Sequence, residues 1–162
     1  MTNSTMVQRK SEREVIISRT INAPARIVYE AWTKADLFSK WWIPKSVPMT
    51  LLSCEMDVRV GGQYRLNFKH GDGEMAFFGT YLEVTPNARI VWTNEEGGPD
   101  APITTVTFEE QNGKTLVLVS ERHPTKESLD EALVSSLADG MNEQFNQLDE
   151  FVGTLQTEAR QS

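Results

Sequence analysis

Two histidines, one cysteine and an arginine beside a glycine pair carry most of the chemistry this sequence has to offer. His70 and His123 lie about fifty residues apart, and neither has the Cys or carboxylate spacing of a zinc site or sits in an HExxH motif. His70 stands beside Gly71-Asp72-Gly73 and reads as a hairpin tip. His123 ends a strand before Pro124 and is expected to be a solvated or capping residue, with an acid–base role as the alternative. Cys54 falls in a strand and reads as a small apolar side chain rather than a nucleophile. Arg59 follows Asp57 and precedes Gly61-Gly62. The glycines mark a turn and Arg59 pairs with a nearby acid; the alternative is a buried guanidinium that orients a ligand carboxylate. Tyr64 joins His123, Arg59 and Asp57 as the residues to test for proton transfer. There is no G-x-S-x-G elbow, no P-loop and no G-x-G-x-x-G. No catalytic residue, metal or cofactor is therefore expected.

The elements that would position these groups follow from periodicity. The chain has 162 residues, enough for one domain with a real core. Residues 1–12 and 156–162 read as flexible tails around a single domain over 13–155. Glu14–Ile21 alternates with Val15, Ile17 and Ile21 on one face, a strand pattern. Asn22 is placed to cap a following helix, with Pro24 just inside it, and Ile27, Val28, Ala31 and Trp32 recur at helical spacing. A second short helix is expected over 35–41, ended by Ile43-Pro44 and Val47-Pro48. Six strands then follow, roughly 50–58, 63–69, 74–85, 89–94, 102–110 and 114–121, divided by Gly, Asn and Pro turns. Such short connections make antiparallel neighbours, with Asn112-Gly113 the strongest hairpin signal. Thr125 or Ser128 caps a last helix over 126–155. Leu129, Leu133, Leu137, Met141, Phe145, Leu148, Val152 and Leu155 form one stripe about 45 Å long at 1.5 Å per residue. Only the sheet is large enough to bury it. The fold class is α+β: a curved antiparallel sheet of about seven strands wrapped on a long C-terminal helix.

A helix across the concave face of a twisted sheet leaves a gap near one end unless large side chains fill it. The candidate wall residues are Met141, Phe145, Leu148 and Leu137 on the helix, and Tyr64, Leu66 and Phe68 on one strand face. Phe78, Trp92, Phe108 and Leu118 would continue the wall, and Trp32 and Trp42 would stand at the mouth. Simple core packing is the alternative for each. The tandem Trp41-Trp42 cannot both face inward from one helical turn.

Four segments carry a resemblance. They are Arg19-Thr20-Ile21-Asn22-Ala23-Pro24 with Val28-Tyr29-Glu30-Ala31-Trp32-Thr33; Trp41-Trp42; Asp57-Val58-Arg59-Val60-Gly61-Gly62-Gln63-Tyr64-Arg65; and Gly79-Thr80-Tyr81-Leu82-Glu83-Val84-Thr85-Pro86 with Arg89-Ile90-Val91-Trp92-Thr93. Gly140-Met141 and Leu148-Asp149-Glu150-Phe151 extend it. In order and spacing the chain resembles the family similar to the activator of the ninety-kilodalton heat-shock protein's ATPase, within the SRPBCC (START-like) superfamily. The resemblance implies a helix-grip fold, as in birch-pollen-allergen-like domains. That fold hosts carriers, cyclases and co-chaperones, so it does not fix a function.

The expected function is binding of a small apolar or aromatic molecule in the cavity between sheet and C-terminal helix. The alternatives are a co-chaperone-like protein that docks on a heat-shock chaperone ATPase, and a polyketide cyclase or aromatase. The formal charge of -7 argues against nucleic acid and anionic membranes. A single cysteine and no apolar leader fit a cytoplasmic protein, and no run is long enough to insert in a bilayer.

Overall fold

The computed structural model describes residues 5–46, 48–134 and 137–161. Eight strands form one antiparallel, curved, unclosed sheet: β1 (Met6–Arg9), β2 (Glu14–Ile21), β3 (Met49–Met56), β4 (Gln63–His70), β5 (Gly73–Thr85), β6 (Arg89–Thr93), β7 (Ile103–Gln111) and β8 (Lys114–Arg122). Their order is β1-β2-β8-β7-β6-β5-β4-β3. The helices are α1 (Ala25–Thr33), α2 (Ala35–Phe38), α3 (Lys126–Val134) and α4 (Leu137–Gln161), with a short 3-10 segment at Glu95–Asp100.

The six expected middle strands all form, as β3 to β8, within two residues of the expected ends. The eighth strand, β1, falls in the stretch read as an N-terminal tail and pairs with β2. Its four side chains are all exposed, so alternation gave no sign of it. At the other end, α4 runs past residue 155 to Gln161. The stripe read as one helix forms α3 and α4, and residues 135 and 136 between them lie outside the described residues, as does Val47.

Two tight hairpins set the register. Asn112 and Gly113 both take positive φ, 56° and 81°, the backbone of a two-residue primed turn. They place Gln111 opposite Lys114 and Phe108 opposite Val117. His70 pairs with Gly73 in the same way, which sets Leu66 opposite Phe77 and Tyr64 opposite Gly79.

β2 and β3 follow one another in sequence but lie near opposite edges of the sheet. The segment joining them, α1 and α2, must therefore cross the concave face. Asn22 does not cap α1. Pro24 holds the cap position, and the Ala25 N–H donates instead to Glu110 Oε1 on β7 at 2.7 Å. A carboxylate there suits the positive end of the helix. At α3, Thr125 provides the cap: its Oγ1 accepts from the Ser128 N–H at 3.1 Å.

α4 buries Met141, Phe145, Leu148 and Val152 completely or nearly so, packing against β2 and α1. Arg19, on the inner face of β2 and only 8% exposed, reaches α4 through Asn146 Oδ1 and an ion pair with Asp149 at 3.4 Å. Asp149 also accepts from the Asn22 N–H at 3.2 Å. These contacts fix the helix on the β2 side of the sheet; α1 lies over β7 and β8 and α2 against β3, and side chains of α1, α2 and the chain after them reach over β3 to β6.

Candidate functional site: an aromatic cavity

The cover over β3 to β6 is made of indole rings. Trp41 is 1% exposed, and its Nε1–H donates to the Ala31 carbonyl at 3.0 Å, pinning the end of α2 to α1. Trp42, half-buried, lies ring to ring with Trp41 at 5.6 Å and stacks on Phe38 with centroids 4.7 Å apart, so both indoles of the tandem turn inward, against the expectation from one helical turn. Trp32 packs against both, 4.8 Å from Trp41 and 5.9 Å from Trp42. The chain after α2 is held down from α4: Gln147 Nε2 donates to the carbonyls of Trp41 and Ile43, at 2.8 and 2.9 Å, and Gln144 Nε2 to that of Trp42 at 2.6 Å. Gln147 Oε1 accepts from the Lys45 N–H at 2.8 Å.

Beneath this cover lies a cavity of about 130 Å³ lined by Trp32, Phe38, Trp42, Met56, Tyr64, Leu66, Phe77, Tyr81, Trp92, Asn94 and Glu96. Glu96 is exposed as well as lining, so the cavity reaches solvent there. Tyr64, Asn94 and Glu96 place polar groups at that end. Tyr64 Oη donates to the Thr93 carbonyl at 2.7 Å. Asn94 Nδ2 donates to the Pro102 carbonyl at 2.8 Å and to Thr104 Oγ1 at 2.9 Å. Glu96 Oε1 accepts from the Phe78 N–H at 2.9 Å. Burial raises the Glu96 carboxyl above the ordinary carboxylate range, against the pull of that N–H. Its neighbour Glu95 accepts from the hydroxyls of Thr80 and Thr93, which lower its pKa and keep it ionised. The Tyr64 hydroxyl is pushed well up, first by burial, then by the charges of Glu96 and Glu95.

Of the residues singled out in the sequence, Trp32, Trp42, Tyr64, Leu66 and Trp92 meet in this cavity. The others do not line it. Phe68 is 1% exposed and packs on Phe77, farther along the sheet. Phe108 lies behind Trp32, ring to ring at 6.2 Å. Phe78 and Leu118 point to the outer face: Phe78 lies under the Arg65 guanidinium at 5.3 Å, and Leu118 alternates with the buried Val117 and Val119. Met141, Phe145 and Leu148 are core, and the side chain of Leu137 lies outside the described residues. The cavity is thus not between the sheet and the C-terminal helix. α1, α2 and the chain to Ile43 occupy that gap, and the opening falls between them and β3 to β6.

Phe38, Met56, Phe77, Tyr81, Asn94 and Glu96 were not among the sequence candidates. Hairpin register would have found Phe77, because a two-residue turn after His70 sets it opposite the inward-facing Leu66. Tyr81 follows by alternation on the same strand.

The other candidate chemistry lies elsewhere. Arg59 is exposed and pairs with Asp57 at 2.8 Å, so it is not a buried carboxylate clamp. Gly62 fits where a Cβ would sit 2.0 Å from the Asp57 carbonyl. His70 is exposed at its hairpin. His123 is buried rather than solvated, with Nδ1 2.9 Å from Ser128 Oγ and Nε2 3.8 Å from Glu121. Cys54 is half-buried against the core, and burial raises its thiol pKa, which opposes thiolate formation. Among the described residues no three His, Cys, Asp or Glu side chains converge as metal ligands, and no helix is long and apolar enough to cross a membrane.

A curved antiparallel sheet carrying a long C-terminal helix, with an apolar hollow under the helical crossover, is the helix-grip arrangement of SRPBCC-type domains. Residues 22–153 match the model of the family described as Activator of Hsp90 ATPase homolog 1-like protein, and the chain belongs to that family. Solved structures agree on the fold. A Rhodobacter sphaeroides protein superposes with a TM-score of 0.85 at 18% identity, covering 93% of this chain and 99% of that one. A Nitrosomonas europaea protein gives 0.82 at 21% identity, covering 92% and 99%. A Staphylococcus epidermidis protein gives 0.78 at 25% identity, covering 92% and 94%. No curated protein matches the chain.

Proposed function

We propose that this protein binds a small, flat, largely apolar molecule in the cavity between α1–α2 and β3–β6. One observation carries the reading: nearly all of the lining is aromatic or aliphatic, and Tyr64, Asn94 and Glu96 place polar groups at the solvent end. That is the usual make-up of a small-molecule site, apolar walls with a few placed polar groups. The volume, about 130 Å³, is close to the ~150 Å³ at which an engineered apolar cavity takes up benzene. One ring would sit inside, and the rest of a larger ligand would extend past Glu96.

The family's name also points to a chaperone partner, a reading that rests on kinship rather than on any surface of this chain. The cyclase reading needs a free acid or base. Tyr64 is poorly suited, since its proton is donated to the Thr93 carbonyl and its pKa is raised far above neutral.

Two-dimensional NMR of the labelled protein against apolar and aromatic compounds tests the proposal. Binding should shift the indole resonances of Trp32, Trp42 and Trp92 and spare the amides around Phe145. No shift at those indoles across the series would refute it, and a complex with a purified chaperone ATPase would then become the reading to pursue.

A further inference from the structure

We propose that the ligand of this cavity is an organic ammonium cation, a quaternary or alkylated amine bearing a ring-sized apolar group. The inference rests on the cavity-binding reading and deepens it.

Three features of the lining select charge. The first is its rings. Trp32, Trp42, Trp92, Tyr64 and Tyr81 surround one volume, and they meet at steep angles: 69° between Trp32 and Trp42, 75° between Tyr64 and Trp92. Rings set at steep angles around one volume bound it with faces as well as edges. An aromatic face is its electron-rich side. A cation within ~6 Å of a ring centroid is attracted to it, most strongly by Trp, and alkylated ammonium groups are held in aromatic cages of this kind. The protein's own guanidinium–ring contact, Arg65 on Phe78, lies on the outer face and leaves the cavity free.

The second is what the wall lacks. Among the described residues no Lys or Arg lines the cavity. A ligand carboxylate would find no counter-ion there.

The third is the sign of the charge at the mouth. Glu96 is the one acidic side chain in the lining, and Glu95 stands next to it, fixed by two hydroxyl donors. The Tyr64 hydroxyl inside the cavity has its pKa raised first by burial and then by the charge of these carboxylates, which stand at the same end of the cavity. An anion entering the cavity would meet that charge, while a neutral molecule gains nothing from it. A weakly hydrated alkylated ammonium gains from the rings and from the carboxylates together.

The test uses the whole protein and two molecules of nearly the same shape. Phenyltrimethylammonium and tert-butylbenzene differ by a charged nitrogen in place of a carbon, and phenylacetate serves as the anion. Dissociation constants are read from the indole NMR shifts or from Trp fluorescence. The ammonium should bind about tenfold or more tightly than tert-butylbenzene, and phenylacetate more weakly than either. Glu96→Gln should weaken the ammonium several-fold and narrow its advantage over tert-butylbenzene. If tert-butylbenzene or phenylacetate binds as tightly as the ammonium, the charge selection is wrong while cavity binding stands. If none of the three binds, both readings fall. The comparison in the wild-type protein decides the matter by itself, so it does not depend on how the variant folds.

Discussion

Replacing Gly79 with Ala strikes the point where the sheet and the cavity depend on the same atoms. A Cβ at this position would lie 2.0 Å from the Thr93 carbonyl oxygen and 2.9 Å from its carbon and from Oγ1. That is roughly 1.4 Å inside ordinary van der Waals contact, and the obstruction is backbone. β5 and β6 must move apart there. Three hydrogen bonds run through Thr93: the Thr80 N–H to its Oγ1 at 2.9 Å, its own hydroxyl to Glu95 at 2.8 Å, and Tyr64 Oη to its carbonyl at 2.7 Å. Leaving buried partners unsatisfied costs ~1–3 kcal/mol each, so Gly79→Ala should destabilise by about 2–5 kcal/mol. In a domain of this size each kcal/mol lowers Tm by ~2–4 °C, which makes the expected drop about 4–20 °C. Urea melts read by circular dichroism and by Trp fluorescence measure both the loss and its effect on the indole cluster. Gly153→Ala is the control. It lies in α4 with nothing within 4 Å of the new Cβ, and it should stabilise by ~0.5–1 kcal/mol through helix propensity. A Gly79→Ala midpoint equal to wild type would refute the close approach on which the argument stands.

The remaining predictions concern the core, the cover and the mouth. Phe145→Ala, at a position fully buried under α4, should cost about 3–5 kcal/mol in a urea melt while leaving the ligand shifts at Trp92 in place. Gln147→Leu removes donors from the carbonyls of Trp41 and Ile43 and an acceptor from the Lys45 N–H. It should cost ~2–4 kcal/mol and, in contrast to Phe145→Ala, weaken ligand binding by loosening the chain on both sides of Trp42. Glu96 has a carboxyl pKa raised in the fold by burial, so its ionisation opposes folding above the folded pKa, and that penalty fades as pH falls below the unfolded value. Glu96→Gln should therefore be at least as stable as wild type at pH 7, with the difference shrinking on acidification. A variant less stable at pH 7, with the gap widening in acid, would reverse the sign and contradict the burial assigned to this group.

Much of the sheet was legible because each turn is written in residues with few other uses. Asn112-Gly113 specifies a two-residue turn by its tolerance of positive φ, and the flanking strands follow. The errors came from treating strands singly. Phe78 and Leu118 were assigned inward on hydrophobicity, yet the two hairpins put Phe77 opposite Leu66 and Leu118 opposite Thr107. A one-residue change of phase exchanges the faces of a strand, and register held that information while composition did not. The cap on α1 was misread for a different reason. Its acceptor, Glu110, lies 85 residues away, and no local pattern reports it. Asn94 and Glu96 enter the cavity because the segment after β6 folds back over β5, a tertiary event without periodicity. The position of α4 was the largest displacement. The apolar stripe showed that the helix is buried, but the ion pair from Arg19 and the glutamine contacts decide which strands it lies on.

The strand order has a consequence for how the chain reaches this state. β3 to β8 form a meander in which every strand pairs with its neighbour in sequence, so that part of the sheet can grow one hairpin at a time. β2 cannot. Its partner is β8, and Glu14 accepts from a serine hydroxyl 106 residues later in the chain. Closing that span costs roughly 3 kcal/mol more chain entropy than a tight hairpin, with no return until β8 is in place. On a ribosome the N-terminal hairpin emerges first and must wait with Val15, Ile17 and Ile21 uncovered. The crossover that becomes the roof of the cavity waits with it, so the hollow is enclosed only in the last stage of folding.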